Sequence, residues 1–372
     1  MRNARAATGN RRHEGHVPTS GRVIPGKHDW KRMVAPYERP SVSASVWQLA
    51  TSVVAYVATC AAMYLLFRSS VAAALLLAPL AAAFLLRTFV VFHDCGHMSF
   101  FRSRRANELV GRICALLVLT PFGQWRHEHA MHHASSGDLD RRGTGDVTTL
   151  TIREYLALDR RARLRYRLYR NPFVMFGVGG LYVHIAEQRF WKRDARPRDR
   201  SSVLRTNVSL ALGIALLWWL VGPVAIVAVQ LSIVAIAGPI GIWLFYVQHQ
   251  FEDTYWADSP SWSYAHAALR GSSYLRLPRV LQWCTGNIGF HHIHHLSSRV
   301  PNYNVQRCHD ENPELQQVPT LTLGQALHTV RLKLWDEDRQ RLVGWRDLRE
   351  AQRAGEVDRP APPYLRGESL GT

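Results

Sequence analysis

Apolar residues fill two stretches of this chain almost without interruption. From Thr206 to Gln250 there is no Lys, Arg, Asp or Glu, and from Ser41 to Leu86 the only charge is Arg68. Each stretch is about twice the ~20 residues that cross a bilayer once as a helix. The pattern therefore predicts four spans in two hairpins. Val46 to Phe67 forms the first, about 33 Å long at 1.5 Å per residue, and Val71 to Phe92 the second, with Arg68, Ser69 and Ser70 left for a tight turn. The second pair lies between Leu204 and Gln250, turning at Gly222 and Pro223, and Gly238 and Pro239 are expected to kink the fourth span.

Residues 93–203, between the pairs, are dense in Arg. Two apolar patches there, Leu109 to Phe122 and Pro172 to Ile185, are too short to span and are expected to be interfacial helices. Residues 1–40 read as a basic, flexible arm, 41–335 as the membrane domain and 336–372 as a polar cytosolic tail. The arm is too long and polar before its first apolar run to be a cleaved signal.

Composition sharpens this picture. The chain has 372 residues, 47% hydrophobic and 20% charged, which excludes disorder, and its net charge is 46 − 28 = +18. Basic residues cluster at 2–32, 102–112, 152–205 and 331–353, and only Arg68 lies in a proposed outer turn. By the positive-inside rule both termini and the middle segment face the cytoplasm. These basic residues flank apolar spans, so they suit anionic lipid headgroups and not nucleic acid. The five cysteines lack C-x-x-C spacing, so no disulfide framework or thiolate metal site is expected. The bias toward Arg and Ala, with four lysines in all, suggests a GC-rich bacterial genome.

The 18 histidines carry the chemistry. His93 and His97 are an i,i+4 pair at the end of the second span. His129, His132 and His133 are spaced 0, +3, +4, and so are His291, His294 and His295. On a helix turning 100° per residue, the second and third members of each triplet lie within about 60° of the first, so each triplet is a convergent nitrogen face. His127 and His292 fall outside these arcs. His249, alone in the fourth span, should reach the same interface as His93 and His97. So many imidazoles clustered without metal would repel when charged and lose hydration when buried. Nitrogen ligands without cysteine suit iron, zinc or copper, and nine exceed what one ion accepts, which argues for two. Met131 stands where a zinc protease His-Glu-x-x-His motif would need its second histidine.

The three boxes, in this order relative to four spans, resemble the membrane fatty acid desaturase family over about residues 41–335. The strings Trp125 to Asp146 and Gly286 to Asn304 are similar to bacterial acyl-lipid desaturases of the delta-12 or omega-6 group. The resemblance implies an all-α integral membrane fold, its cytosolic helical cap holding a histidine-ligated diiron centre. Carried over, the ligands of two non-haem iron ions are His93, His97, His129, His132, His133, His249, His291, His294 and His295. It implies location in a bacterial inner membrane with the boxes cytoplasmic, and a membrane-lipid or fatty acyl substrate. Two electrons from a donor and two from the substrate would reduce O2 to water and leave a double bond. The donor would be a separate ferredoxin or small cytochrome with its NAD(P)H-dependent reductase, because the His-Pro-Gly-Gly haem signature of fused desaturases is absent. One departure stands out. In related acyl-CoA desaturases an asparagine precedes the lone fourth-span histidine by one turn; here that position is Phe245, and Asn287, a turn before His291, is a candidate substitute.

Histidine ligands need outer hydrogen-bond partners, and Asp94, Glu128, Glu252 and Asp253 lie near the boxes. Trp125, Trp243, Phe245, Tyr246, Trp283 and Phe290 are candidates to line an acyl passage, and Arg126 and Arg299 to hold an anionic head. The leading alternative is a hydroxylase or ketolase on the same scaffold. A membrane metal transporter is remote, since the spans hold no acid at midplane.

Overall fold

The computed structural model describes residues 29–143 and 145–355, so residues 1–28 of the basic arm and 356–372 of the tail lie outside the described residues. Among the described residues four helices are long and apolar enough to cross a membrane: Val42–Phe67, Val71–Gly96, Pro197–Val221 and Pro223–His249. The turns fall where expected. Ser70 caps the second span by accepting a hydrogen bond from the Ala73 amide, and Gly222, at φ 80, turns the third span into Pro223. The fourth helix continues through Pro239 to His249. The first span contains a π-helical turn, Ala50–Val54.

The second span is the hub of the bundle. Its Ala81, Ala82, Leu85, Val91 and Phe92 pack with Tyr56 and Met63 of the first span and Val229 and Ile233 of the fourth. The third span instead leaves Leu212, Trp218 and Trp219 exposed, as a lipid-facing helix does.

The apolar patch Leu109 to Phe122 is not one helix. Arg104–Leu117 ends, Leu119 adopts φ 53, and the chain bends by 102° into Phe122–Ser135. A Cβ on Gly111 would lie 2.2 Å from the Phe122 ring, so the sharp return depends on that glycine. The second patch forms a π-helical turn, Phe173–Val178, followed by helix Gly179–Ile185, where Gly180 meets the backbone of Gly238 and Pro239 in the fourth span.

The remaining segments form a cap at the end where the second and fourth spans finish. It contains two small sheets: β1 (Tyr274–Arg276) pairs parallel with β2 (Thr320–Thr322), and β3 (Leu332–Asp336) antiparallel with β4 (Arg341–Gly344). Folded structure crosses both boundaries drawn from the sequence. Trp30, Val34 and Tyr37 pack against Leu269, Ile293, Leu296 and Val305, behind the third histidine box. Leu334, Val343 and Leu348 pack against Ile152, Tyr155 and Tyr166. These runs hold few apolar residues among many charged ones, so they bury a face without standing out beside the spans.

Candidate metal centre

His93 lies in the last turn of the second span and His249 at the end of the fourth. Helices Phe122–Ser135 and His291–Leu296 bring the two triplets between them. The nine imidazoles gather into two nests. His93, His97, His129, His133 and His294 form one; His132, His249, His291 and His295 form the other, and in each nest one nitrogen per residue lies within 4.8 Å of the rest. Each triplet is thus divided. Its 0 and +4 members go to one nest and its +3 member to the other, because residues at +3 and +4 point about 100° apart on a helix.

Within the nests, ring nitrogens approach as ligands of a common ion would. His129 and His93 meet through Nε2 at 3.0 Å, His133 and His129 at 3.2 Å, His132 and His249 at 3.2 Å, and His291 and His249 at 2.9 Å. Two nitrogens each about 2.1 Å from one ion and at right angles are about 3.0 Å apart. Among the described residues the Nδ1 atoms of His133 and His291 are buried without a partner, whereas on three rings the outer nitrogen is engaged: His93 Nδ1 faces Asp94 at 3.1 Å, His132 Nδ1 faces Asp146 at 2.6 Å, and His249 Nδ1 faces the Gly271 carbonyl at 3.1 Å. In the neutral rings these Nδ1 atoms donate, so the Nε2 lone pairs of His132 and His249 face each other. A cation between them turns that repulsion into attraction. His97, His294 and His295 also bury an Nε2 with no hydrogen-bond partner. The donor set fits two nitrogen-ligated metal ions.

Electrostatics agree. Burial first, then the neighbouring imidazoles, hold His97, His129, His133, His291, His294 and His295 well below the usual histidine range. They are neutral at pH 7, the form that binds metal.

Of the carboxylates expected beside the boxes, Asp94 touches a histidine. Its other oxygen accepts from the Asn302 amide at 2.7 Å and Nδ2 at 2.8 Å, and Asn302 pairs with Gln48 of the first span through bonds of 2.8 and 3.1 Å. Glu128 pairs with Lys192 at 3.8 Å, Glu252 with Arg341 at 3.1 Å, and Asp253 is exposed. Asn287 is not in a helix: it has φ 60, accepts from Gln282 and donates to the Asn302 carbonyl. His127 pairs with Asp199, and His292 is buried against His309, both away from the nests.

The aromatic candidates divide similarly. Trp125 stacks on His129 at 4.4 Å, and Phe245 lies 5.2 Å from the ring of His132 and 5.7 Å from that of His249. Trp283 instead covers the Arg87 guanidinium at 3.8 Å, the Tyr246 hydroxyl donates to the Thr329 and Leu332 carbonyls, and Phe290 stacks on Tyr274. Arg299 pairs with Glu38. Asp146, Asn302 and Gln48 were not singled out from the sequence. Nothing in local spacing marks them, because their partners are 14, 208 and 254 residues away.

Fold and site together define a helical membrane protein with a nitrogen-rich centre able to hold two metal ions. Residues 69–322 match the fatty acid desaturase family. The chain is 42% identical over 335 residues to a fatty acid desaturase of Bacillus subtilis, covering 90% of this chain and 95% of that protein. It is 28% identical over 234 residues to an sn-1 oleoyl-lipid 12-desaturase of Synechocystis, covering 59% and 63% of the two chains. It is also 28% identical over 238 residues to an endoplasmic-reticulum omega-3 fatty acid desaturase of Vigna radiata, covering 58% of each. The chain thus spans less than two thirds of the latter two. It belongs to the fatty acid desaturase family and is an oxidoreductase.

Proposed function

We propose that this protein inserts a cis double bond into an acyl chain of a membrane lipid, of the delta-12/omega-6 type, using two iron ions in the histidine nests, O2 and an external electron donor. The observation that carries the chemistry is the pair of nests, whose ring nitrogens converge at about the separation of ligands on one ion. Support for the position of the double bond comes from the Synechocystis relative, which is a 12-desaturase. Held by these histidines, iron would let O2 serve as the oxidant that takes hydrogen from an unactivated methylene, which no side-chain acid or base reaches at its attainable pKa.

The protein's own residues bind and position. The nine histidines present converging ring nitrogens; Asp94 fixes the His93 ring by accepting from Nδ1, and Asn302 with Gln48 fixes Asp94. Trp125 and Phe245 supply apolar surface beside the nests, against which a methylene chain rests without losing hydrogen bonds. With the basic clusters on the cytoplasmic side, the cap and its centre face the cytosol, where a soluble donor reaches them.

The test is expression, beside a His132→Ala variant, in an aerobic host that makes monounsaturated fatty acids and has a compatible reductase. Membrane fatty acids are then profiled by gas chromatography with derivatisation to locate double bonds. A diene at the delta-12 position that disappears with His132→Ala is expected. Hydroxylated or unchanged lipids from iron-loaded protein with a competent donor would overturn the desaturase reading.

A further inference from the structure

We infer that Asp146 is a positioning residue for the four-histidine nest, holding His132 by its outer nitrogen; this rests on the metal reading above. His132 is fully enclosed, and its Nδ1 donates to Asp146 Oδ1 at 2.6 Å, a short, charge-assisted contact. His132 is the one member of its triplet that turns to this nest, away from His129 and His133. The rings packed against it are other imidazoles and that of Phe245, which offers no acceptor. Among the described residues Asp146 is the one hydrogen-bond acceptor at His132 Nδ1, so it selects the Nδ1–H tautomer that leaves Nε2 free.

The loop that delivers Asp146 is shaped for this contact. Gly145 adopts φ +71, and a Cβ there would lie 3.2 Å from His132 Cβ and 3.4 Å from the Glu128 carbonyl. The backbone therefore rests directly on helix Phe122–Ser135, at a position strained for any other residue. Arg142, which lines the same crevice as Asp146, is committed to Glu154 through two bonds. Among the described residues no Lys or Arg forms an ion pair with Asp146, which leaves its charge for the His132 ring.

The two nests are anchored unequally. Asp94, which holds His93, is itself locked by Asn302 and Gln48. Among the described residues Asp146 has no hydrogen bond besides that to His132, and its side chain is 18% exposed, on a crevice shared with Ser136, Phe245, His249 and Gln250. The four-histidine nest is therefore the one that loses its ion first when its anchor is cut.

The test uses the full chain, expressed with 57Fe and purified in detergent, with iron per chain measured by mass spectrometry and site occupancy by Mössbauer spectroscopy. Wild type is expected to hold two irons. Asp146→Ala should hold about one, with one spectral component lost, whereas His133→Ala should deplete the other component. Asp146→Asn keeps an acceptor oxygen but no charge, so it should retain more iron than Asp146→Ala with one component altered. Two irons and an unchanged spectrum in both Asp146 variants would overturn the inference while leaving the metal reading intact. If Asp146→Ala does not fold, the Asp146→Asn spectrum decides alone, and its identity with wild type overturns the proposal. A wild-type chain that takes up no metal overturns both.

Discussion

Gly96→Ala offers a steric probe of how the bundle sets the metal centre. Gly96 ends the second span, and an added Cβ would sit 2.8 Å from Cζ3 of Trp125. Ordinary contact begins at 3.4 Å, so the ring must retreat by about 0.6 Å. It has little room, because it lies 4.7 Å from the ring of Phe92, 5.8 Å from that of Phe89, 5.6 Å from His93 and 4.4 Å from His129. Overpacking costs about 1–3 kcal/mol and alanine regains up to about 1 kcal/mol of helix propensity, so the net loss of stability is about 0–2 kcal/mol. Position is the sensitive quantity. A shift of this size exceeds the ~0.5 Å tolerance of a functional site, and misplacement by about 1 Å costs on the order of 10²-fold in rate. We expect Gly96→Ala to accumulate and to melt no more than about 8 °C below wild type, but to yield about ten- to a hundredfold less unsaturated product by gas chromatography. Adding Trp125→Phe, which removes the clashing ring edge, should restore part of the loss, a coupling read as a double-mutant cycle. Wild-type product from Gly96→Ala, or no recovery in the double variant, would refute the claim that Trp125 transmits the strain to the histidines.

Two further outcomes follow from the same geometry. The cap histidines are held neutral by burial while the unfolded chain takes up protons near pH 6.5, so the native state binds fewer protons below that value; metal-free stability should be flat above about pH 7 and fall as pH drops below about 6.5. Denaturation in detergent across this range checks the sign, and a gain in stability on acidification contradicts it. Asn302→Ala deletes the Nδ2 bond to Asp94 and strands the buried Gln48, a loss of about 2–4 kcal/mol, and should lower both melting temperature and iron retention, whereas Asn302→Ala with wild-type iron content would show that this chain of bonds does not support His93.

The spans were legible because a bilayer imposes a simple demand. Some twenty uncharged residues must follow one another, and a backbone without water must pair with itself, so length and composition alone place Val71–Gly96 or Pro223–His249 to within a few residues. The nine histidines were legible for a related reason, since i,i+4 spacing and identical chemistry are local properties of the chain. Folding of the sparse patterns around Trp30 and Leu334 was not legible, because a few apolar residues become a core only when another segment meets them.

By itself, then, the sequence marked the membrane-spanning helices and set out the nine histidines as candidate nitrogen donors. Tertiary structure alone decided how those nitrogens are shared. The +3 and +4 members of one triplet diverge by about 100°, and only the placement of the second and fourth spans on either side gives each direction a different set of partners. It likewise decided the outer anchors, bringing Asn302 to Asp94 across 208 residues and leaving Glu128, next to a ligand in sequence, paired with Lys192 instead. Adjacency along a helix fixes an angle, while contact at a metal centre requires convergence of several helices, and convergence belongs to the packed fold.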